Sequence, residues 1–134
     1  MVTDADIENL RAAYRSLEET GAIREDLFAH DFLLEQTPGL LDTRGTFRGP
    51  AGMAAALSEL RTGFDEIHFE PHDFKPHGEW LQVPVTFVAR ARGVEQEARI
   101  VHLWKLRDGL IARMRVVGQA DEAPRVLAQL QAEG

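Results

Sequence analysis

The stretch that most constrains the fold spans residues 98–118 and reads ARIVHLWKLRDGLIARMRVVG. Two apolar alternations flank Asp108 and Gly109, a pair typical of the tight turn in a β-hairpin because glycine tolerates the positive φ that such turns need. His102 is the one titratable side chain at the centre of the first alternation. The residues between the inward-facing ones are partly apolar too. We therefore expect a packed element or a partner to cover much of the other face of this hairpin.

Helical patterns dominate the first half of the chain. Thr3 is predicted to cap a helix whose apolar residues recur every three or four positions and which ends at Gly21. A second, short helix is predicted over residues 24–30. A third begins at Gly49 and Pro50 and continues to about residue 62, because proline is well tolerated at the first helical position.

Strand patterns occupy residues 32–36 and most of the second half of the chain. Residues 67–74 contain Pro71, which predicts an edge strand or a bulge. Residues 81–89 alternate strictly, and 90–97 are interpreted as the turn that leads into the hairpin. The register of 81–91 stays open, since a slip of one residue exchanges the two faces of a strand. Asp121 and Pro124 predict the start of a C-terminal helix.

This order of elements predicts an α+β protein. Helices at one end of the chain and strands at the other favour a cone-shaped, curved antiparallel sheet wrapped around the N-terminal helices, with a C-terminal helix. At 134 residues the chain is expected to form a single domain over 1–134. The mouth of such a cone is the natural place for a cavity.

Composition excludes several classes of function. The chain has no cysteine, which excludes disulfides and thiolate chemistry and suits a reducing cytoplasm. Its N-terminus lacks the basic and apolar runs of a signal peptide, and no stretch approaches the roughly 20 apolar residues of a membrane span. A net charge of −7 opposes binding to polyphosphate. We expect a cytoplasmic protein that binds neither nucleic acid nor membrane.

Four segments, in their order and spacing, resemble the nuclear transport factor 2-like superfamily, and within it the SnoaL-like and ketosteroid isomerase-like branch. They read LRAAYRSLEETG, LFAHDFLLEQ, TFRGPAGM and HLWKLRDGLIARMR, and ADEAPRVL is similar to the tail helix of many SnoaL-like proteins. The resemblance covers nearly the whole chain. It implies a deep pocket in a cone-shaped sheet and a homodimer packed through the sheet face. Members of the superfamily include isomerases, cyclases, dehydratases and epoxide hydrolases, and others only bind or scaffold.

The resemblance also points to three site residues. In ketosteroid isomerases a tyrosine of the first helix donates a hydrogen bond to the developing oxyanion, and Tyr14 stands at the matching position. The position of the general-base aspartate holds Gln36, which cannot accept a proton, and that of the second oxyanion donor holds His102. This departure argues against steroid-type proton shuttling. SnoaL-like cyclases and epoxide hydrolases need an acidic residue on the later strands. The acidic residues within 80–117 of this chain all lie at or near turns.

The residue types themselves allow an acid/base site. A neutral imidazole acts as acid or base near neutral pH, a tyrosine hydroxyl stabilises an oxyanion, and an amide orients a carbonyl or hydroxyl. We therefore expect His102 and Tyr14 to be catalytic. The residues expected to bind the ligand are Gln36, Phe32, Leu34, Met53, Leu57 and Trp104. The alternative is that His102 is a satisfied core residue and that Tyr14 serves packing alone.

The sequence also contains a candidate metal site. His68, Glu70 and His72 share one face of a predicted strand, and His77 follows, which makes four potential zinc ligands. Prolines interrupt that strand, and the spacing matches no established motif. We expect neither a metal ion nor another cofactor.

The leading functional hypothesis is a SnoaL-like pocket protein for a small, apolar, oxygen-bearing molecule whose identity the sequence leaves open. The protein would bind it and isomerise, cyclise or hydrolyse it by acid/base chemistry. The alternatives are a noncatalytic ligand-binding or dimeric scaffold module and a protein-interaction module that uses the sheet face. Residues 37–50 form the longest irregular stretch, which either borders the binding site or fills the edge of the core.

Overall fold

The computed structural model describes residues 1–36 and 46–133. Within them, three α-helices accompany a seven-stranded sheet. The helices are α1 (Asp4–Thr20), α2 (Gly49–Thr62) and α3 (Ala123–Ala132), with 3-10 turns at Glu25–Leu27 and Ala120–Glu122. The strands are β1 (Phe28–Gln36), β2 (Thr46–Arg48), β3 (Glu66–Pro71), β4 (Lys75–His77), β5 (Trp80–Ala91), β6 (Val94–Arg107) and β7 (Leu110–Val117).

The strands form one curved sheet in the order β2-β1-β7-β6-β5-β3, with β4 paired to β5 outside that path. This confirms the α+β class, the curved sheet and the C-terminal helix. The sheet is mixed rather than wholly antiparallel, because β1 pairs with β7 in the parallel sense. No hairpin turn joins these two strands, so their relative direction is not set by local geometry. As predicted from Pro71, β3 is an edge strand.

One face of the sheet, here called the inner face, packs against α1 and α2. The register pairs Val83 of β5 with His102 of β6, which places the strictly apolar side of β5 on this inner face. Leu81, Val83 and Val85 are accordingly almost fully buried in the main core. The pairing thereby resolves the register that the sequence leaves open.

The opposite, outer face is covered in part by α3. Val101, Leu103 and Val117 of the hairpin form a second core with Leu127 and Leu130 of that helix. The element expected to cover the other side of the hairpin is therefore the chain's own C-terminal helix. The homodimer through the sheet face stays a prediction.

The predicted ends of α1 and the predicted turn of the hairpin are confirmed. The Thr3 hydroxyl accepts a hydrogen bond from the Asp6 amide, the Asp6 carboxylate accepts one from the Thr3 amide, and Gly21 ends the helix at a φ of 75°. Asp108 and Gly109 both have positive φ, at 54° and 79°. The turn between β5 and β6 is shorter than the predicted range of 90–97. β5 continues through residue 91 and β6 begins at 94, so only two residues turn.

The helix predicted over residues 24–30 is wrong. A single 3-10 turn at Glu25–Leu27 leads directly into β1, four residues earlier than expected. Phe28 and Phe32 are four apart, a spacing that shares one side of a helix and equally one face of a strand, and here both are buried, with ring centroids 5.0 Å apart. Of the stretch 37–50, residues 37–45 lie outside the described residues, so its expected place beside the binding site stays a prediction.

Among the helices of the described residues, none has the length and apolar character needed to cross a membrane.

Candidate functional site

A cavity lies between the inner face of the sheet and the two helices packed on it. The space open to the centre of a water molecule is about 90 Å³, several times what one buried water needs. The helices contribute Ala13, Tyr14, Leu17, Met53, Ala56, Leu57 and Leu60, and the sheet contributes Leu34, Gln36, Phe69, Ile100, His102, Trp104, Met114 and Val116. Its wall is therefore apolar apart from a few side chains.

The polar side chains occupy defined rows across the sheet. Gln36 of β1 pairs with Val116 of β7, which in turn pairs with His102 of β6. Two residues further along each strand, Met114 pairs with Trp104 in the same way. Neighbouring strands lie about 4.8 Å apart, so the backbones of Gln36 and His102 are separated by roughly 10 Å. The amide and the imidazole thus stand at two ends of one row.

Three side chains in the cavity wall are joined by hydrogen bonds. The Trp104 indole Nε1–H donates to the Tyr14 hydroxyl oxygen at 2.9 Å, and that oxygen lies 2.6 Å from Nδ1 of His102. The three rings also pack together, with Tyr14 and His102 nearly parallel and Trp104 edge-on to both. α1 therefore contributes the middle member of a cluster whose other two members stand on β6.

The donor inventory sets the direction of this chain of hydrogen bonds. An indole N–H can only donate, so Tyr14 is an acceptor toward Trp104. If Nδ1 of His102 carried a hydrogen, the hydroxyl would receive two and find no acceptor for its own among the described residues. All three groups are satisfied when Tyr14 donates to Nδ1. His102 then carries its hydrogen on Nε2, the ring nitrogen that no described residue engages.

Burial keeps both titratable groups neutral. His102 is 3% exposed, and loss of hydration of the imidazolium lowers the pKa of His102 to about 3. Burial likewise raises the pKa of Tyr14 well above its usual value, against a smaller lowering effect of the Trp104 hydrogen bond. At neutral pH the pair is therefore a neutral imidazole and a neutral phenol. His102 is better suited to donate a hydrogen bond through its ring N–H than to accept a second proton.

Gln36 is the remaining polar side chain among the described residues of the cavity wall. Its Oε1 atom is buried and has no hydrogen-bond partner within the part of the chain that the structure describes. Buried side-chain oxygens in native proteins nearly always have a partner. This oxygen is thus an unmatched acceptor, and rotation about the soft terminal torsion of the amide would present it to a molecule bound in the cavity.

Seven of the eight residues expected from the sequence line this one cavity, namely His102, Tyr14, Gln36, Leu34, Met53, Leu57 and Trp104. Phe32 does not line it among the described residues. It is fully buried and packs edge-on against Phe28 in the main core. Sequence reasoning missed Leu17, Met114 and Phe69. The first lies one turn beyond Tyr14 on α1, and the second stands beside Leu34 once β1 and β7 are paired.

Two histidines of the candidate metal site, His68 and His72, bind different partners. Nδ1 of His68 lies 2.9 Å from Glu18, and its Nε2 lies 3.2 Å from Glu66. The hydrogen bond to Glu66, and to a smaller extent the one to Glu18, raises the pKa of His68. Nε2 of His72 lies 2.6 Å from the Thr86 hydroxyl. Over residues 1–36 and 46–133, no three His, Asp or Glu side chains are grouped to hold a metal ion.

Glu35, next to Gln36 in the sequence, points to the other side of the sheet. Its carboxylate lies 2.9 Å from Arg113 and 3.5 Å from Arg115, both on β7. Strand alternation predicts this outward position. The carboxylate nearest in sequence to Gln36 is therefore paired on the outer face rather than available to the cavity.

Comparison with known proteins assigns the family. Residues 10–114 match the model of the SnoaL-like domain, which covers most of the chain. The chain belongs to the SnoaL-like domain family. This SnoaL-like chain is 27% identical over 96 residues to the aklanonic acid methyl ester cyclase DauD of Streptomyces sp. (strain C5). The match covers 64% of the chain and 58% of DauD, so the chain spans little more than half the length of that relative.

Solved structures show the same fold. The structure of TerC co-crystallised with polyporic acid matches with a TM-score of 0.75 at 22% identity, over 94% of this SnoaL-like chain and 99% of TerC. A protein of ketosteroid isomerase-like fold from Catenulispora acidiphila DSM 44928, in complex with trimethylamine, matches with a TM-score of 0.71 at 13% identity. That match covers 84% of this chain and 85% of the other. At these identities the likeness establishes the fold alone.

Proposed function

We propose that this SnoaL-like protein binds a small, oxygen-bearing molecule in the inner-face cavity and isomerises or cyclises it by acid/base chemistry at a carbonyl group. The observation that carries this proposal is the one-way chain of hydrogen bonds from Trp104 through Tyr14 to His102. It ends at an imidazole whose Nε2–H has no protein acceptor among the described residues. A ligand carbonyl is the group that such a donor suits.

A neutral imidazole donor can stabilise an enolate without transferring a full positive charge into an apolar site. When a water molecule or hydroxide ion that enters with the ligand takes the proton next to the carbonyl, the electron pair of the broken C–H bond moves onto the carbonyl oxygen, and a fixed N–H at that oxygen lowers the barrier. The same solvent species returns a proton to carbon when the enolate collapses in an isomerisation. The Tyr14 hydroxyl, 2.6 Å from Nδ1, holds the imidazole in the tautomer that presents Nε2–H. The apolar wall strengthens these interactions because little water competes with them.

The comparison with DauD supports the cyclase part of the proposal. That relative is named as a methyl ester cyclase, and its match with this chain covers 64% of the chain. Ring closure through an enolate needs the same stabilisation of a carbonyl oxygen as isomerisation does.

A second candidate function is ligand binding without turnover. It is favoured by Gln36, which stands where ketosteroid isomerases carry their general base and which cannot accept a proton. Among the lining residues that the structure describes, none carries a carboxylate. A bound molecule would then be held and oriented by the same polar groups without losing a proton to the protein.

Deuterium exchange at the carbon next to a ketone separates the two functions. We suggest 6-hydroxy-1-tetralone as a probe in heavy water, with loss of the C2 proton signal followed by NMR. The proposal expects the wild-type protein to accelerate exchange over buffer and His102→Gln and Tyr14→Phe to lower the acceleration at least tenfold. Trp80→Phe, in the second core, is the control that should keep it.

The other outcomes are equally informative. Saturable binding of the tetralone without faster exchange would favour the binding function. Neither binding nor exchange would contradict both candidate functions for ketones of this size.

A further inference from the structure

We propose that Gln36 restricts this cavity to uncharged ligands that carry a hydrogen-bond donor, such as a hydroxyl, at the end opposite their carbonyl. The inference names a ligand class for the site of the proposed function, and so it rests on that function for the role of the cavity. It rests separately on the buried amide oxygen of Gln36, which the chemistry at His102 does not use.

The first step is the unmatched acceptor. Gln36 lies in the wall of the cavity, and its Oε1 is buried without a hydrogen-bond partner among the described residues until the amide rotates toward a ligand. An acceptor removed from water and left unpaired is costly, and a ligand that brings a donor to it recovers that free energy. A ligand that brings only an apolar group or another acceptor leaves the cost in place.

The second step is the position of this acceptor relative to the donor. Gln36 and His102 stand on the same inner face, in one row with Val116 of β7 between them. Their backbones are about two strand spacings, roughly 10 Å, apart. One end of the row accepts a hydrogen bond and the other donates one. A complementary ligand therefore has a donor and a carbonyl at opposite ends of a flat, apolar body.

The third step is the charge of the wall. Among the described lining residues there is no Asp, Glu, Lys or Arg. The residues between the two polar ends, including Met114, Val116 and Ile100, are apolar. A charged ligand would lose its hydration with no counterion to replace it, whereas a hydroxyl loses little when it is paired. The wall therefore favours a neutral donor such as a phenol or an alcohol.

Three tetralones test the inference by binding rather than by turnover. The probes are 6-hydroxy-1-tetralone, 6-methoxy-1-tetralone, which accepts at the same place but cannot donate, and 1-tetralone, which has neither group. We expect the wild-type protein to bind the hydroxy compound at least tenfold more tightly than the other two, measured by calorimetry or NMR titration. Equal or tighter binding of the methoxy compound would overturn the inference, as would failure of all three to bind.

Variants assign the preference to Gln36. Gln36→Met keeps the approximate size of the side chain and removes its hydrogen bonding, so the tenfold preference should fall to within about threefold while 1-tetralone binds as before. Gln82→Met, on the outer face of β5 opposite Leu103, is the matched control and should keep the preference. A preference that survives in Gln36→Met, or equal weakening of all three probes, would contradict the role given to Gln36.

These readouts separate this inference from the proposed function. Selective binding of the hydroxy compound without deuterium exchange would keep the ligand class and reject catalysis. Deuterium exchange in all three ketones without selective binding would keep catalysis and reject the ligand class.

Discussion

The Trp104 indole nitrogen lies 2.9 Å from the Tyr14 hydroxyl oxygen, although 90 positions separate the two residues in the chain. The contact turns the Tyr14 hydroxyl hydrogen away from Trp104 and toward Nδ1 of His102, since an indole N–H cannot accept. Trp104 therefore sets the tautomer of His102, a residue to which it does not itself hydrogen-bond, through the hydroxyl of Tyr14.

Replacement of Trp104 by phenylalanine should loosen this arrangement. Trp104→Phe removes a buried donor, whereas Trp80→Phe, equally buried at 3% exposure, removes the same atoms from the second core. Unfolding in urea is expected to show Trp104→Phe less stable than the control by about 1 kcal/mol, the net value of one hydrogen bond. Nitrogen-15 NMR of His102 should show the single Nε2–H tautomer in the wild type and in Trp80→Phe, and a mixture in Trp104→Phe. Identical stability and spectra in the two variants would contradict this reading.

The buried imidazole of His102 should make stability depend on pH. Its pKa is about 3 in the folded protein because burial disfavours the cation, against about 6.5 in an unfolded chain. Between these values the unfolded chain binds a proton that the folded chain does not. The free energy of unfolding therefore falls as pH drops below about 6.5, by up to about 1.4 kcal/mol per pH unit, and is unaffected by this group above it.

The variant His102→Gln isolates that effect. Its amide can still accept from Tyr14 but does not titrate, so between pH 7 and pH 5 the wild type should lose about 2 kcal/mol more than the variant in urea unfolding. His68 acts in the opposite sense, because its raised pKa adds stability below its unfolded pKa that is lost as pH rises through the folded one. Both proteins share that contribution, so it cancels. Parallel losses in the two proteins would show that His102 is accessible to protons in the folded state.

The start of α2 depends on a close approach at Gly52. A Cβ at this position would lie 3.0 Å from the backbone carbonyl carbon of Phe47 on β2. Gly52→Ala should therefore destabilise the protein by about 1–3 kcal/mol, as overpacking does, despite the better helix propensity of alanine. Gly63→Ala, where the nearest atom would be 3.9 Å away and φ is −89°, should change stability by less than about 1 kcal/mol. Thermal unfolding of the two variants compares them, and equal melting temperatures would contradict the expected clash.

The second core makes α3 part of the stable fold. Leu130 is 2% exposed and packs in the cluster that contains Leu103 and Val117. Leu130→Ala should cost about 2–5 kcal/mol, whereas Gln129→Ala, on the exposed side of the helix, should cost less than about 0.5 kcal/mol. Urea unfolding measures both. A loss below 1 kcal/mol for Leu130→Ala would mean that α3 detaches readily from the sheet.

Much of the fold follows from patterns that are local in the chain. The cap of α1, the turn at Asp108 and Gly109 and the edge strand at Pro71 depend on backbone preferences of one or two residues, and all three appear where the sequence predicts them. Alternation along β5 and β6 likewise separates inner from outer residues, because successive side chains of a strand point to opposite faces.

Contacts between distant segments decided the features of the fold and of the site that local patterns leave open. The early start of β1 and its parallel pairing with β7 depend on which strand β1 meets, and the spacing of Phe28 and Phe32 suits a helix equally well until that partner is known. The sequence by itself determined which residues of a strand share one face, and its resemblance to ketosteroid isomerases singled out Tyr14, Gln36 and His102. Only the tertiary structure decided that Trp104 and Tyr14 orient His102 while the Gln36 oxygen finds no partner over residues 1–36 and 46–133. A hydrogen bond depends on tenths of an ångström between side chains of separate elements, and no local propensity encodes that distance.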